Sequence, residues 1–237
     1  MINFAICCVA FGDEHINEFN KLSNVLLNLN PKLNIYVCTN DASKITNKSV
    51  NTIESNAKWN FNLKKESIRE AFNKFDTILF MDTDMHVRKD VDFSLLNRLE
   101  ENRMYLIRKP HTIFKYKEGE QISIYGMMQN TQYGKYIQSI VNPNRKLAFV
   151  EEQFFVLKLS NIEQRESFYN VWDMIYRDTI NLNCHPNHIF EEGLNIFLSC
   201  LLSNIPINYT NLDILRLYGS FTHLNFDKNI SETITLI

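Results

Sequence analysis

The chain has 237 residues, 45% of them hydrophobic and 22% charged, enough to bury a substantial core in one large α/β domain or two small ones. A formal net charge of -2 gives no general attraction to nucleic acid or to an anionic membrane surface. With only 6 Gly and 5 Pro, and no repeat or low-complexity segment, nothing in the composition marks a linker, so residues 1–237 are expected to form a single domain.

Residues 2–11 are a continuous apolar run, as expected of a strand buried on both faces of a parallel sheet. No basic segment precedes that run, and Gly12-Asp13-Glu14 follows without a small-residue cleavage site, which favours a strand over a signal peptide. Asp13 is placed to cap a helix whose apolar residues Ile16, Phe19, Leu22, Leu26 and Leu29 recur every three or four positions until Pro31. Residues 34–39 read as a second strand, Asn40-Asp41-Ala42-Ser43 as a turn, and 50–53 as a weaker strand. Leu63, Ile68, Ala71, Phe72 and Phe75 line one side of a helix over 63–75, and 77–81 is the clearest buried strand of the chain. This β-α-β-(β)-α-β order predicts parallel strands joined by crossover helices. Residues 105–108 and 149–157 read as strands separated by a segment of mixed signals. Ser160 with Glu163 forms a capping box for a helix reaching about residue 177. The stripe Phe190, Leu194, Phe197, Leu198, Leu201 and Leu202 predicts a helix over 188–202, closed by Pro206.

The five cysteines, Cys7, Cys8, Cys38, Cys184 and Cys200, are odd in number and include no CxxC pair, so free thiols in a reducing, cytoplasmic compartment are expected. No apolar run approaches the roughly 18 residues of a membrane span. His185 and His188 near Cys184 suggest zinc superficially, but with no second cluster they read better as loop and helix-cap residues.

The segment that carries chemistry is the strand over 77–81 running into Asp82-Thr83-Asp84-Met85-His86-Val87. An apolar strand here delivers two carboxylates, one residue apart, at its C-terminal end, the edge where ligands of open α/β sheets collect. In extended chain those two positions project to the same side. Two hard anionic oxygen ligands suit Mg²⁺ or Mn²⁺, with open positions left for phosphate oxygens. A bare DxD more often just terminates a strand. The strongly apolar strand before it, the β/α pattern upstream and the apolar Val87 after it shift the reading towards a ligand site.

The stretch from Asp76 to Val87 resembles the DxD strand of GT-A glycosyltransferases, most nearly the glycogenin-like and lipopolysaccharide-galactosyltransferase-like group. The resemblance implies a GT-A fold, a mixed and mainly parallel sheet flanked by helices, with a nucleotide-binding half over 1–87 and an acceptor-binding half over 88–237. It implies a Mn²⁺ (or Mg²⁺) bridging the two phosphates of a nucleotide-sugar donor, a UDP-sugar favoured, and transfer to a sugar, protein or other hydroxyl acceptor, and it favours retention over inversion, between which the residues themselves do not choose. Phe190-Glu191-Glu192-Gly193-Leu194-Asn195 is similar to the group's DQDxLN helix start, with the first acidic position on Glu191 and Glu192 replacing the amide. Thr222-His223-Leu224-Asn225-Phe226-Asp227-Lys228 resembles its HxxGxxK segment, which implies His223 as a third metal ligand and Lys228 at the diphosphate. Phe226 replaces that segment's glycine, and Lys228 stands one place closer to His223 than in the pattern.

In this fold the loop Ala10-Phe11-Gly12-Asp13 lies beside base and ribose, so Phe11 is a candidate to stack on uracil and Asp13 to accept from ribose or base. Asn40 and Asp41 are candidates at the next strand end, and Thr83 lies within the donor site. The helix before the DxD strand lends a basic residue to the phosphates in resembling enzymes, which nominates Lys65 or Arg69. Glu152, within Glu151-Glu152-Gln153, and Glu191 or Glu192 are candidates to orient sugar hydroxyls or act as base.

Other readings remain open at this point. Haloacid-dehalogenase-type phosphohydrolases also end an apolar strand in DxD, though usually on the first strand. A sugar-nucleotide pyrophosphorylase would need a Gly-rich basic loop after the first strand, which Gly12-Asp13-Glu14-His15 does not supply. Between Arg103 and Lys146, basic residues interleave with Tyr105, Tyr116, Tyr125, Tyr133 and Tyr136, a composition suited to sugar stacking and, less favoured, to a nucleic-acid acceptor.

Overall fold

The computed structural model describes residues 3–58, 60, 62–106, 112–114, 132–141, 147–148, 153–181, 189–208 and 211–223. Strand β1 (Ala5–Ala10) leads into helix α1 (Gly12–Leu29), followed by β2 (Asn34–Thr39), a 3₁₀ turn (Ala42–Lys44) and β3 (Asn51–Glu54). Helix α2 (Leu63–Phe72) precedes β4 (Thr77–Met81) and the short β5 (Met85–Val87). A 3₁₀ segment (Phe93–Arg98) then leads to β6 (Arg103–Leu106), β7 (Thr112–Phe114), α3 (Gln132–Ile140), β8 (Leu147–Ala148) and β9 (Phe154–Lys158). The chain continues through α4 (Ile162–Asn181), α5 (Ile189–Leu202), β10 (Ile207–Asn208), α6 (Leu212–Tyr218) and β11 (Phe221–His223).

Seven strands make the main sheet in the order β10-β6-β9-β4-β1-β2-β3. Strands β4, β1, β2 and β3 run parallel, and β9 is antiparallel to both β4 and β6. The fold is therefore α/β, with a mixed and mainly parallel sheet flanked by helices, as the sequence predicts. Successive residues of β1 alternate between two cores, as the period of a strand requires. Ala5, Cys7 and Val9 face the core shared with α2, α4 and α5, whereas Ile6, Cys8 and Ala10 face α1, the 3₁₀ segment and α6. Both faces are covered, which is why β1, β2 and β4 read as unbroken apolar runs.

Two helix starts differ from expectation. Asp13 does not cap α1: the N-cap position is Phe11, without a side-chain cap bond, and Asp13 lies in the first turn. Helix α4 is capped not by Ser160 but by Asn161, whose Oδ1 accepts from the N–H groups of Glu163 (2.8 Å) and Gln164 (3.2 Å). The Ser160 hydroxyl is engaged with Glu101 (2.7 Å) and Asn102 (3.3 Å) instead, so the adjacent Asx residue takes the cap. The strand expected at 105–108 begins earlier, at Arg103, and that expected at 149–157 is described from Phe154. No helix among the described residues is long and apolar enough to cross a membrane.

Candidate functional site

In the order β4-β1-β2-β3, the β1-α1-β2 crossover runs to one side of β1 and the β3-α2-β4 crossover returns to its other side, so a crevice opens where the C-terminal ends of β1 and β4 lie side by side. Strand β4 reaches that edge buried at every residue, its Phe80 ring stacked on Phe155 of β9 at 5.0 Å. The ladder with β9 ends at Met81, and the Asp82 N–H donates to the Gln153 carbonyl at 2.9 Å. The chain turns at Thr83 and Asp84 and then enters a two-stranded antiparallel ribbon of β5 with β11.

Burial alternates through this turn. Asp82 and Asp84 are partly exposed, whereas Thr83 between them is only 6% exposed and Met85 is buried. Thr83 Oγ1 donates to Glu18 Oε2 of α1 at 3.2 Å, an oxygen that also lies 3.0 Å from His15 Nδ1. Two aspartates therefore keep part of their surface in water while the residue between them is closed off and anchored to α1. The ribbon register sets His223 opposite Met85, directly beyond Asp84. The backbone of His223 is described and its side chain is not, and the described residues hold no converging group of three His, Cys, Asp or Glu side chains.

Among the described residues, Lys64 of α2 meets Asp82. Its Nζ lies 3.1 Å from Asp82 Oδ1 and 4.9 Å above the Phe80 ring, with the lysine side chain 4% exposed and the aspartate 30%. The two α2 residues singled out from sequence turn elsewhere. Lys65 pairs with Asp173 of α4 and lies 3.9 Å from Glu66, while the Arg69 guanidinium stacks over Tyr169 at 5.4 Å. Lys64 stands four places before the buried Ile68, so helical periodicity was the available signal. Two adjacent lysines near a helix start gave no obvious reason to prefer it over Lys65.

The rim beside β1 and β2 is a knit of short polar links. Gly12 has φ +80°, a conformation open to glycine, and its N–H donates to Asn40 Oδ1 at 2.9 Å, tying the two strand ends together. Lys44 bridges Asp13 (2.8 Å) and Asp41 (3.3 Å). Asp41 also accepts from the Ser43 hydroxyl at 2.5 Å, which with Lys44 holds its carboxyl below the usual range, while its two carboxylate partners raise Lys44. Ala10 and Phe11 are buried in opposite cores, so the Phe11 ring packs inward rather than standing open at the rim. Of this loop, Asp13 and the backbone face solvent.

Glu191 and Glu192 lie in the first turn of α5, and only their backbone is described. Glu152 and Lys228 fall outside the described residues, as do Cys184, His185 and His188. Cys7, Cys8, Cys38 and Cys200 are buried free thiols.

The sequence matches no protein-family model and no curated protein. In overall structure the chain is similar to solved glycosyltransferases. One is the glycosyltransferase GlyE of Streptococcus pneumoniae TIGR4, at 17% identity and TM-score 0.46, covering 99% of this chain and 52% of that one. Another is the bifunctional glycosyltransferase WbbM, at 12% identity and TM-score 0.44, covering 88% and 46%. A third is the galactosyltransferase LgtC in complex with donor and acceptor sugar analogues, at 11% identity and TM-score 0.43, covering 87% and 73%. The chain thus spans about half the length of GlyE and of WbbM.

Proposed function

We propose that this chain is a GT-A glycosyltransferase that moves a sugar from a nucleoside-diphosphate donor, a UDP-sugar favoured, to a hydroxyl acceptor with retention. The observation that carries the reading is the turn Asp82-Thr83-Asp84 at the crevice between β4 and β1, its two aspartates partly exposed around a buried threonine and a buried lysine beside the first. The donor set fits a hard divalent cation, with Asp82 and Asp84 as oxygen ligands and, on the resemblance, His223 as a nitrogen ligand, its backbone paired with Met85. Mn²⁺ or Mg²⁺ bound there would neutralise the charge that builds on a departing diphosphate.

The protein's own part is positioning. Lys64 lies where its ammonium counters the Asp82 charge and can serve an anionic oxygen brought to that aspartate. Asp13, Asn40, Asp41 and Lys44 line the edge where base and ribose would sit, with Lys44 free to exchange carboxylate partners for donor hydroxyls because it is half exposed. Glu191, Glu192 and Glu152 are assigned to the sugar and acceptor hydroxyls, and Lys228 to the diphosphate, on the resemblance alone. A sugar, a protein or a hydroxyl on another molecule, nucleic acid included, serves as acceptor.

Incubating the protein with a panel of UDP- and GDP-sugars, with and without Mn²⁺, tests this. Slow metal-dependent release of one nucleoside diphosphate is expected, and Asp84→Ala should abolish it while leaving the circular dichroism spectrum unchanged. Full turnover in that variant, or release of inorganic phosphate from simple phosphomonoesters, would refute the assignment, the second in favour of a phosphohydrolase.

A further inference from the structure

We infer that Glu18 is a positioning residue for the Asp82–Asp84 pair, acting through Thr83; this rests on the reading of that pair as a cation seat. Residues 82 to 84 lie between two ladders, since β4 stops pairing at Met81 and β5 begins at Met85. No ladder fixes the backbone over that turn, so an anchor on the middle residue restricts the main chain that carries both neighbours. Thr83 is that middle residue. It is buried, and its hydroxyl donates to Glu18 Oε2 at 3.2 Å.

Glu18 stands in the second turn of α1, a helix that also packs against β5. Its carboxylate is held from the other side by His15, three residues earlier on the same helix, at 3.0 Å. The arrangement runs from a surface histidine, through a partly buried glutamate, to the residue flanked by both proposed ligands. The effect of Glu18 is to keep Thr83 seated inward, and with it the main chain that carries the two aspartates. Outer partners of this kind typically change metal affinity by about 10–100-fold when removed.

The wild-type 237-residue chain and the variants Glu18→Ala, Glu18→Gln, Thr83→Val and Glu18→Ala/Thr83→Val are titrated with Mn²⁺ alone and again with UDP present, reading free Mn²⁺ by electron paramagnetic resonance. Glu18→Ala and Thr83→Val are each expected to weaken Mn²⁺ binding by about 10-fold, the low end for an outer partner. The double variant should be no weaker than either single one, because both remove the same link. Glu18→Gln keeps an oxygen that can accept from Thr83 and should recover most of the affinity. Thr83→Val is close to isosteric and carries the test if Glu18→Ala fails to fold. Wild-type affinity in Glu18→Ala or Thr83→Val, losses that add in the double variant, or a Glu18→Gln as weak as Glu18→Ala would overturn the inference. Wild-type protein that binds no Mn²⁺ under either condition rejects the cation seat itself, and the positioning role with it.

Discussion

Lys64 is a buried ammonium 3.1 Å from a carboxylate that keeps 30% of its side-chain surface in water. That asymmetry decides what its removal does. Losing one member of a fully buried pair strands a charge and costs several kcal/mol, but Asp82 can rehydrate. Methionine also fills much of the same space over the Phe80 ring. Lys64→Met is therefore expected to lower stability by no more than about 1 kcal/mol, the scale of a partly solvated pair. Its effect on turnover should be larger, about 100-fold, because a preorganised donor beside developing negative charge is typically worth that much. Urea denaturation and metal-dependent donor hydrolysis on the same preparation check both halves. The same residue shows what sequence leaves hidden: Asp82 and Asp84 are legible as candidates because the motif is local, while Lys64 and Glu18 join the candidate site only when α2 and α1 are packed on the sheet.

Among elements, the junction of α2, β4, β9 and α4 depends on one side chain. The Arg165 guanidinium donates to the Leu159 carbonyl (2.5 Å) and the Phe72 carbonyl (2.9 Å), pairs with Asp76, and lies 4.9 Å from the Phe72 ring. It thus joins the end of α2, the entry to β4 and the exit from β9 to the first turn of α4. Arg165→Ala should cost about 2–4 kcal/mol, since charge-assisted bonds contribute roughly 1.5–3 kcal/mol each and do not add fully. A urea midpoint unchanged from wild type would contradict this. The strands show which elements a sequence exposes: 34–39 and 77–81 are read to the residue because burial on both faces makes them apolar throughout. The ribbon of β5 and β11 is not, because three-residue strands carry too little pattern and their partners lie far apart in the chain. At the start of α4, Ser160 and Asn161 are both competent caps, and the choice is made by Asn102 and Glu101 on a different segment.

At the scale of the whole molecule, four thiols are sealed in the two cores that flank the sheet: Cys7, Cys38 and Cys200 on one side and Cys8 on the other. Burial is the first cause that raises each of them, with the Cys7–Cys8 neighbours, Asp82 near Cys8 and Glu66 near Cys38 adding in the same direction, and Cys38 is pushed up to about 12. The folded chain therefore keeps all four protonated well above the ordinary thiol value of 9.0, at which the unfolded chain begins to release its protons. The sign follows. Below 9.0 both states hold the same protons and the stability is intact; above it only the unfolded state gains by ionising, so stability falls as pH rises towards the folded values. One pH unit above the unfolded value costs about 1.4 kcal/mol per thiol, and four of them reach roughly 6 kcal/mol, comparable to the whole stability of a marginal domain. Tyr169 and Tyr136, also raised by burial, act with the same sign at higher pH. The melting temperature, followed in the presence of reductant, should hold level up to about pH 8.5 and drop steeply by about pH 10. In parallel, these four thiols should stay unreactive to a disulfide reagent near pH 8 until denaturant is added, since a buried protonated thiol is a poor nucleophile. A melting temperature that stays level through pH 10, or rapid labelling of these four in the native protein, would mean that the cores admit water.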